Sequence, residues 1–131
     1  MSQDSAKTKL RKSNILGIVA AIVLACGIFY MSSIPGSGLP KNLGFWTTVA
    51  HFCEYLLLGI FISLAFSCDR RGFWVVLAIA VVLASAYGAS DEIHQIFTPG
   101  RTPDVLDWLT DTIGAFVGSY IFLKVRGHRN S

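Results

Sequence analysis

The chain has 131 residues, of which 53% are apolar and 15% are charged, and its formal net charge is +3. With a mean hydropathy of +0.55, this composition excludes a water-soluble domain with a charged surface and indicates a membrane protein. A membrane-spanning helix takes about 20 residues, so the length admits one domain of about four or five spans and no separate soluble catalytic domain. The basic residues form no continuous stripe, so we expect no nucleic-acid partner.

The first predicted span covers about residues 15–33. An unbroken run of apolar or small residues at 15–31 follows a basic stretch at 7–12, a pattern that fits either a first span or a signal peptide. The run is longer than the usual core of a signal peptide, and no small-x-small cleavage site follows it. We therefore favour a span, preceded by a basic cytoplasmic tail at residues 1–13.

Three further spans are predicted, at about residues 46–67, 73–95 and 103–124, and a basic tail follows at 125–131. Turn chemistry rich in Gly and Pro at residues 34–44 separates the first two spans. Thr102 and Pro103 have the pattern of a helix start, with Thr102 as the N-cap and Pro103 as the first helical residue. The predicted fold is all-α, a polytopic membrane protein whose four-helix transmembrane bundle covers residues 14–124.

The Lys and Arg residues are distributed unequally between the two sides of the predicted membrane. Four precede the first span, two lie between the second and third spans and three follow the fourth, whereas Lys41 and Arg101 occupy the other two loops. By the positive-inside rule, this ratio of nine to two predicts that both termini are cytoplasmic. The loops at about residues 34–45 and 96–103 are then predicted to face outward.

Polar side chains gather at the predicted outer ends of spans two, three and four. Six of the eight acidic residues and two of the three histidines belong to this group: Glu54, Asp91, Glu92, Asp104, Asp107, Asp111, His51 and His94. The spacing of His51, Glu54 and Tyr55 predicts that they share one helix face. Asp107 and Asp111 share another face. They lie above a glycine strip, formed by Gly114 and Gly118, that permits close helix approach. A charge costs about 2.5–3.5 kcal/mol at the centre of a spanning helix, so such a group indicates a functional site or a hydrogen-bonded network.

Two sequence strings resemble the motifs of the VanZ-like membrane family. The string SDEIHQIFTPGR at residues 90–101, followed by Asp107 and the glycine strip, is similar to the family's signature, and HFCEYLLLG at residues 51–59 is similar to its other motif. Together they cover about residues 45–124. The resemblance implies a small multi-pass protein of the bacterial cytoplasmic (inner) membrane, in a family whose namesake is linked to resistance to the glycopeptide antibiotic teicoplanin. It implies no particular reaction.

The motif match carries nine candidate site residues over to this chain: His51, Glu54, Tyr55, Asp91, Glu92, His94, Gln95, Arg101 and Asp107. Two positions depart from the family's pattern. Thr48 stands where the family often has Lys, which removes a cation from the site. Asp111 stands where the family often has Asn, which adds a potential anion and so favours a bound metal or a shared proton.

Two classes of function stay open, and the sequence does not decide whether the chain is an enzyme. An enzyme would act from the outer face on a lipid-linked or amphipathic envelope molecule, with His51 or Glu92 as general base and a second carboxylate as acid. A non-enzymatic binding module or partner subunit would capture such a molecule, or its polar cluster would only lock the helices together. The predicted roles are catalytic for His51, Glu54, Asp91, Glu92 and Asp107, and substrate-binding for Arg101, Tyr55, Gln95 and His94.

A divalent metal ion is the candidate cofactor, and its candidate ligands are His51, Glu54, Glu92 and Asp107. Because His51 and Glu54 lie three residues apart on one helix, they can share an ion with carboxylates of facing helices. We predict that these four side chains converge on one pocket that opens to the outer leaflet. We also predict that Arg101 pairs with a nearby carboxylate, that of Asp104, Asp107 or Glu92.

Overall fold

A computed structural model describes residues 3–38, 44–67 and 71–128. Regular structure in these residues is helical throughout, with four α-helices and a one-turn 3-10 helix: α1 (Gln3–Ser32), the 3-10 helix (Gly36–Gly38), α2 (Gly44–Phe66), α3 (Phe73–Gln95) and α4 (Val105–His128). The prediction of an all-α fold is confirmed. Lys41, Arg70 and Arg129, which enter the count of basic residues, lie outside the described residues.

Three stretches of helix are long and apolar enough to cross a membrane, namely Lys12–Ser32, Gly44–Phe66 and Phe73–Gln95. The fourth helix, α4, falls outside this set because it carries acidic residues in its first two turns and basic residues near its end. At 1.5 Å per residue its 24 residues extend over roughly 36 Å, which is long enough to cross a bilayer core of about 30 Å. The bundle is therefore of the membrane type, and the crossing of its fourth helix stays a prediction.

The helices α1 and α4 extend into the segments that we predicted as tails. The α1 helix begins at Gln3 and α4 ends at His128. Residues 3–14 contain no Pro or Gly, and they include several Lys, Arg and Ala residues, which are strong helix formers. A helix that has nucleated in the apolar segment can therefore continue through the basic segment.

The helix α2 is central to the bundle, since it contacts α1, α3 and α4 and packs most extensively on α4. A Cβ added at Gly114 would lie 2.6 Å from the carbonyl oxygen of Phe52, and one added at Gly118 would overlap the carbonyl oxygen of Leu56. Only glycine therefore permits this approach of the two backbones. The glycine strip of α4 has the packing role that its spacing predicts.

The bundle has two chemically different ends. The ends of α1 and α3 meet the beginnings of α2 and α4 at one of them, which we call the polar end because it contains the candidate site residues. There the loop after α1 contacts the loop after α3, and Gly36 N donates to Pro99 O at 2.9 Å. At the opposite, basic end, Arg126 Nη2 donates to Ser67 O at 3.2 Å. The glycines of the polar-end contact are required, because Gly100 has a φ of +74° and a Cβ at Gly36 would overlap the carbonyl of Gly100.

The start of α4 differs from the prediction. Asp104, not Thr102, is the N-cap, because its Oδ1 accepts from Leu106 N at 2.8 Å and its carbonyl accepts the first helical bonds, from Asp107 N and Trp108 N. The prediction of Thr102 as the cap is therefore wrong by two residues. A contact with α3 accounts for the shift, since Asp104 N donates to Glu92 Oε2 at 2.7 Å and fixes the residue just before the helix.

Candidate functional site

A buried hydrogen-bonded pair between α2 and α4 lies at the centre of the polar end. His51 Nδ1 is 3.0 Å from Asp111 Oδ1, and the two residues are 7% and 0% exposed. Because a carboxylate oxygen accepts, the imidazole donates its Nδ1 proton, and Nε2 is left as the atom able to take a proton or to bind a ligand. The pair forms because the glycine strip brings α4 against this face of α2.

Glu92 of α3 completes a cluster of three side chains, which we call the polar triad: His51, Glu92 and Asp111. One potential ligand atom of each residue lies within 4.8 Å of those of the other two, and all three residues are buried. Each residue comes from a different helix. The polar triad is therefore a property of the tertiary structure that no local sequence motif contains.

The carboxylate of Glu92 is oriented by two contacts. Its Oε2 accepts from Asp104 N at 2.7 Å, and its Oε1 accepts from Gln95 Nε2 at 3.4 Å. Gln95 Nε2 also donates to Asp91 Oδ2 at 3.3 Å, so Gln95 links the two carboxylates of α3. A carboxylate has about four lone-pair sites, so these two bonds leave Glu92 able to accept a proton or to coordinate a cation.

Gly88, one turn before Glu92 on α3, lets Asp111 and Tyr55 approach this helix. A Cβ at Gly88 would lie 3.1 Å from Asp111 Oδ2 and 3.3 Å from Tyr55 Cε1. Both Asp111 Oδ2 and the Tyr55 hydroxyl are buried and have no hydrogen-bond partner among the described residues. A buried polar atom without a partner is costly, so these two atoms are candidates for contact with a ligand.

The helix α1 contributes to the polar end, which the sequence analysis did not anticipate. Ser32 Oγ donates to Asp91 Oδ2 at 2.6 Å, and Ser33 Oγ is 3.0 Å from His94 Nε2. The His94 ring also packs against Phe29, with 4.5 Å between ring centroids. Asp91 and His94 therefore face α1, whereas Glu92 faces α4.

Arg101 does not pair with a carboxylate of the described residues. Its Nε donates to Ile34 O at 3.2 Å and its Nη2 donates to Met31 O at 3.1 Å. The prediction that Asp104, Asp107 or Glu92 pairs with Arg101 is therefore wrong. The reason is that the 96–103 loop lies beside the end of α1, where the carbonyl of Met31 in α1 and that of Ile34, two residues after α1, accept from the guanidinium.

Glu54 and Asp107 lie next to the polar triad but outside it. Glu54 is half-buried on α2, one turn after His51, and Asp107 is half-buried on α4, one turn before Asp111. Thr48 Oγ1 donates to Asp107 Oδ1 at 3.5 Å, so the position where the family often has Lys faces this carboxylate. Of the four candidate metal ligands, the structure thus brings His51 and Glu92 together, and Asp111 completes their cluster.

The sequence placed Asp111 in the polar group at the outer helix ends and on one face with Asp107, but the predicted catalytic and metal-binding roles went to Asp107. A signal was available, because Asp111 follows Asp107 by four residues and so lies on the same helix face, one turn deeper. No such signal existed for Ser32 and Ser33, whose contacts with Asp91 and His94 span 59 and 61 residues.

The fold and this cluster together define a helical membrane protein with polar side chains buried between its helices. The family model described as VanZ/LLP1 matches residues 14–126, and the chain belongs to this family. The resemblance drawn from the two motifs is thereby confirmed. Neither the curated proteins nor the solved structures contain a match to the chain.

Proposed function

We propose that this VanZ-family protein performs acid–base chemistry, at its polar triad, on a lipid-linked or amphipathic molecule of the cell envelope. The observation that carries the proposal is the pair of His51 and Asp111, hydrogen-bonded at 3.0 Å and buried beside Glu92. Buried polar groups of this kind are rare in membrane helices, and they are retained where they bind or react with something.

The polar triad has the parts that proton transfer requires. Asp111 fixes the tautomer and the orientation of His51, so Nε2 can accept a proton from a substrate hydroxyl or from water. Glu92 is the nearby carboxyl that can return a proton to a leaving group. The Tyr55 hydroxyl, buried and without a partner among the described residues, is placed to bind the substrate.

The nature of the substrate follows from the depth and the side of the site. The excess of basic residues supports an orientation in which the polar end faces the outer leaflet and both termini are cytoplasmic. His51 lies seven residues after the start of α2 at Gly44, roughly 10 Å along the helix axis. A headgroup attached to a lipid reaches this depth more readily than a freely soluble molecule does. We also propose that this activity gives the chain a role in resistance to teicoplanin.

The proposal is tested by incubating the purified protein with lipids extracted from a bacterial envelope and following products by mass spectrometry. We expect the native protein to convert a lipid-linked component and the Glu92→Gln variant to leave it unchanged. The variant should stay folded, because an amide oxygen at this position still accepts from Asp104 N. Ser90→Ala is the control, since the exposed Ser90 hydroxyl bonds only to a carbonyl of its own helix. Saturable binding without any product would contradict the enzymatic proposal and support a binding module.

In the second candidate function, this chain is a non-enzymatic partner subunit, and its polar cluster only holds the helices together. This function is favoured by the contacts that join α1 and the residues just after it to the rest of the polar end, namely Ser32 with Asp91, Ser33 with His94, and Arg101 with the carbonyls of Met31 and Ile34. On this reading Glu92→Gln lowers the melting temperature and leaves activity unchanged in the protein that remains folded. The same variant thus separates the two candidates.

A further inference from the structure

We propose that the polar triad binds a divalent transition-metal cation, with His51, Glu92 and Asp111 as its three protein ligands. This set differs from the one predicted from sequence, because Asp111 takes the place of Glu54 and Asp107. The cation would occupy the pocket of the proposed function, and the inference takes its substrate class from that proposal. With the cation bound, His51 and Glu92 would serve as ligands, so the direct proton transfer described above applies to the metal-free chain. The binding of the cation is nevertheless measured without any substrate.

The positions of the ligand atoms fit a single ion. One atom of each of the three side chains lies within 4.8 Å of the other two. Nitrogen and oxygen ligands lie about 2.0–2.2 Å from zinc, which places them about 3–4 Å from one another. The three side chains would therefore have to move closer together to coordinate one ion. The ligands come from α2, α3 and α4, as in helical bundles that hold metals between facing helices.

The bonding of Asp111 gives independent support. Its side chain is fully buried, its Oδ1 is shared with His51, and its Oδ2 has no partner among the described residues. A neutral donor could satisfy Oδ2, but no side chain or backbone group of the described residues does so. The oxygen borders Gly88, one turn of α3 from Glu92, and therefore faces the helix that supplies the third ligand.

The charges of the polar end point to a cation as well. No Lys or Arg in the described part of the chain forms an ion pair with Glu92 or Asp111. Arg101, the nearest Lys or Arg in sequence, donates instead to the carbonyls of Met31 and Ile34, at and just after the end of α1. Asp111 has His51 as its ion-pair partner. If the carboxylates of Glu92 and Asp111 are both ionised, one dication would neutralise their two negative charges.

The donor set favours a transition metal over calcium or magnesium. One imidazole nitrogen and two carboxylate oxygens suit zinc, manganese or iron, whereas calcium takes about six to eight oxygen ligands and magnesium keeps a nearly complete octahedron of oxygens. Three protein ligands also leave a coordination position open, as catalytic zinc sites do. We therefore use Zn²⁺ as the probe of affinity and Co²⁺ as the spectroscopic probe.

The experiment uses the full chain, purified in detergent, stripped with a chelator and then titrated with Zn²⁺. We expect one Zn²⁺ per chain and a rise of the melting temperature with Zn²⁺ concentration. Glu92→Gln and Asp111→Asn should each weaken Zn²⁺ binding by more than about tenfold, since even residues that only support ligands contribute about 10- to 100-fold. Glu54→Gln and Asp107→Asn are the matched controls, and they should retain the affinity of the native chain.

Each outcome decides the proposal. Absence of Zn²⁺ binding by the native chain, or full affinity in Glu92→Gln, overturns it, and so does a loss confined to Glu54→Gln or Asp107→Asn. If Asp111→Asn does not fold, the Co²⁺ visible spectrum of the native chain decides, because coordination to nitrogen and oxygen ligands of low symmetry gives strong visible bands and solvated Co²⁺ gives weak ones. Turnover of envelope lipids by a chain that binds no metal would overturn this inference while leaving the proposed function intact.

Discussion

Ser32 at the end of α1 donates a hydrogen bond of 2.6 Å to Asp91 Oδ2 of α3, across 59 residues of sequence. Both side chains are buried. Asp91 accepts a second bond from Gln95, so the end of α1 is joined through Asp91 and Gln95 to Glu92 of the polar triad. The first helix is thus more than an anchor, because it shapes the polar end.

The first prediction concerns this bond. Ser32→Ala removes the shorter of the two hydrogen bonds to Asp91 Oδ2, and Asp91 Oδ1 already has no partner among the described residues. We expect the free energy of unfolding to fall by about 1–3 kcal/mol, which thermal melting in detergent measures. Ser90→Ala removes an exposed hydroxyl and should change the melting temperature little. Equal melting temperatures for the two variants would show that the Ser32 contact contributes nothing.

The second prediction concerns Arg101, whose Nε and Nη2 reach two different carbonyls at the end of α1. A lysine has a single ammonium group and cannot reproduce this fork, so Arg101→Lys should lower stability by roughly 1–2 kcal/mol. It should also expose the end of α1 to limited proteolysis. The control is Arg126→Lys at the basic end, where one bond to Ser67 O is described and a lysine can replace it. If both variants resist proteolysis equally, the fork of Arg101 has no structural role.

The sequence predicted most of the fold because its signals are local. Long apolar runs and Gly or Pro punctuation identified the helices, and α3 has the bounds predicted for the third span. The start of α4 was missed because the contact between Asp104 N and Glu92 decides it, and that contact joins two elements. Asp is also a preferred N-cap residue, so the local pattern allowed either Thr102 or Asp104, and the contact with Glu92 decides between them.

The candidate site was predictable in part for the same reason. The position of the acidic and histidine residues at the predicted outer helix ends identified His51, Asp91 and Glu92, and the resemblance to the VanZ-like family supported the same three residues. The choice between Asp107 and Asp111 depends on the depth at which α4 crosses α2, which the glycine strip sets through the Phe52 and Leu56 carbonyls. Periodicity places both carboxylates on one face and cannot determine that depth.

The third prediction tests this packing directly. Gly118→Ala places a Cβ against the carbonyl of Leu56, a backbone atom that cannot move aside alone, so α2 and α4 must separate. We expect a loss of stability of about 1–3 kcal/mol, measured by thermal melting. Gly27→Ala is the matched control, because a Cβ there meets nothing within 4 Å. A Gly118→Ala protein as stable as the Gly27→Ala protein would disprove the close approach.

The fourth prediction concerns orientation. In a chain whose cysteines at 26, 53 and 68 are replaced, Ser37→Cys at the polar end should react with a membrane-impermeant maleimide on intact cells, because Ser37 is exposed in the predicted outer loop. Gly127→Cys at the basic end should react only after the cells are opened. The reverse labelling would place the polar end in the cytoplasm and remove the outer-leaflet substrates from the proposed function.

The last prediction separates a structural from a functional role for Tyr55. Its hydroxyl is buried without a partner among the described residues, whereas the Tyr87 hydroxyl donates to Ala25 O at 2.6 Å. Tyr55→Phe should therefore leave the melting temperature unchanged or raise it, because it removes a buried polar atom that no bond compensates. Tyr87→Phe should lower the free energy of unfolding by about 0.5–1.5 kcal/mol, because it removes a bond that joins α3 to α1.

If the Tyr55 hydroxyl binds substrate, Tyr55→Phe should also reduce the conversion of envelope lipids at least about tenfold. This is the loss expected when a hydrogen bond of about 1.4 kcal/mol to the reacting molecule is removed. A Tyr55→Phe protein that melts at a lower temperature and keeps its activity would show that this hydroxyl supports the bundle and does not contact the substrate.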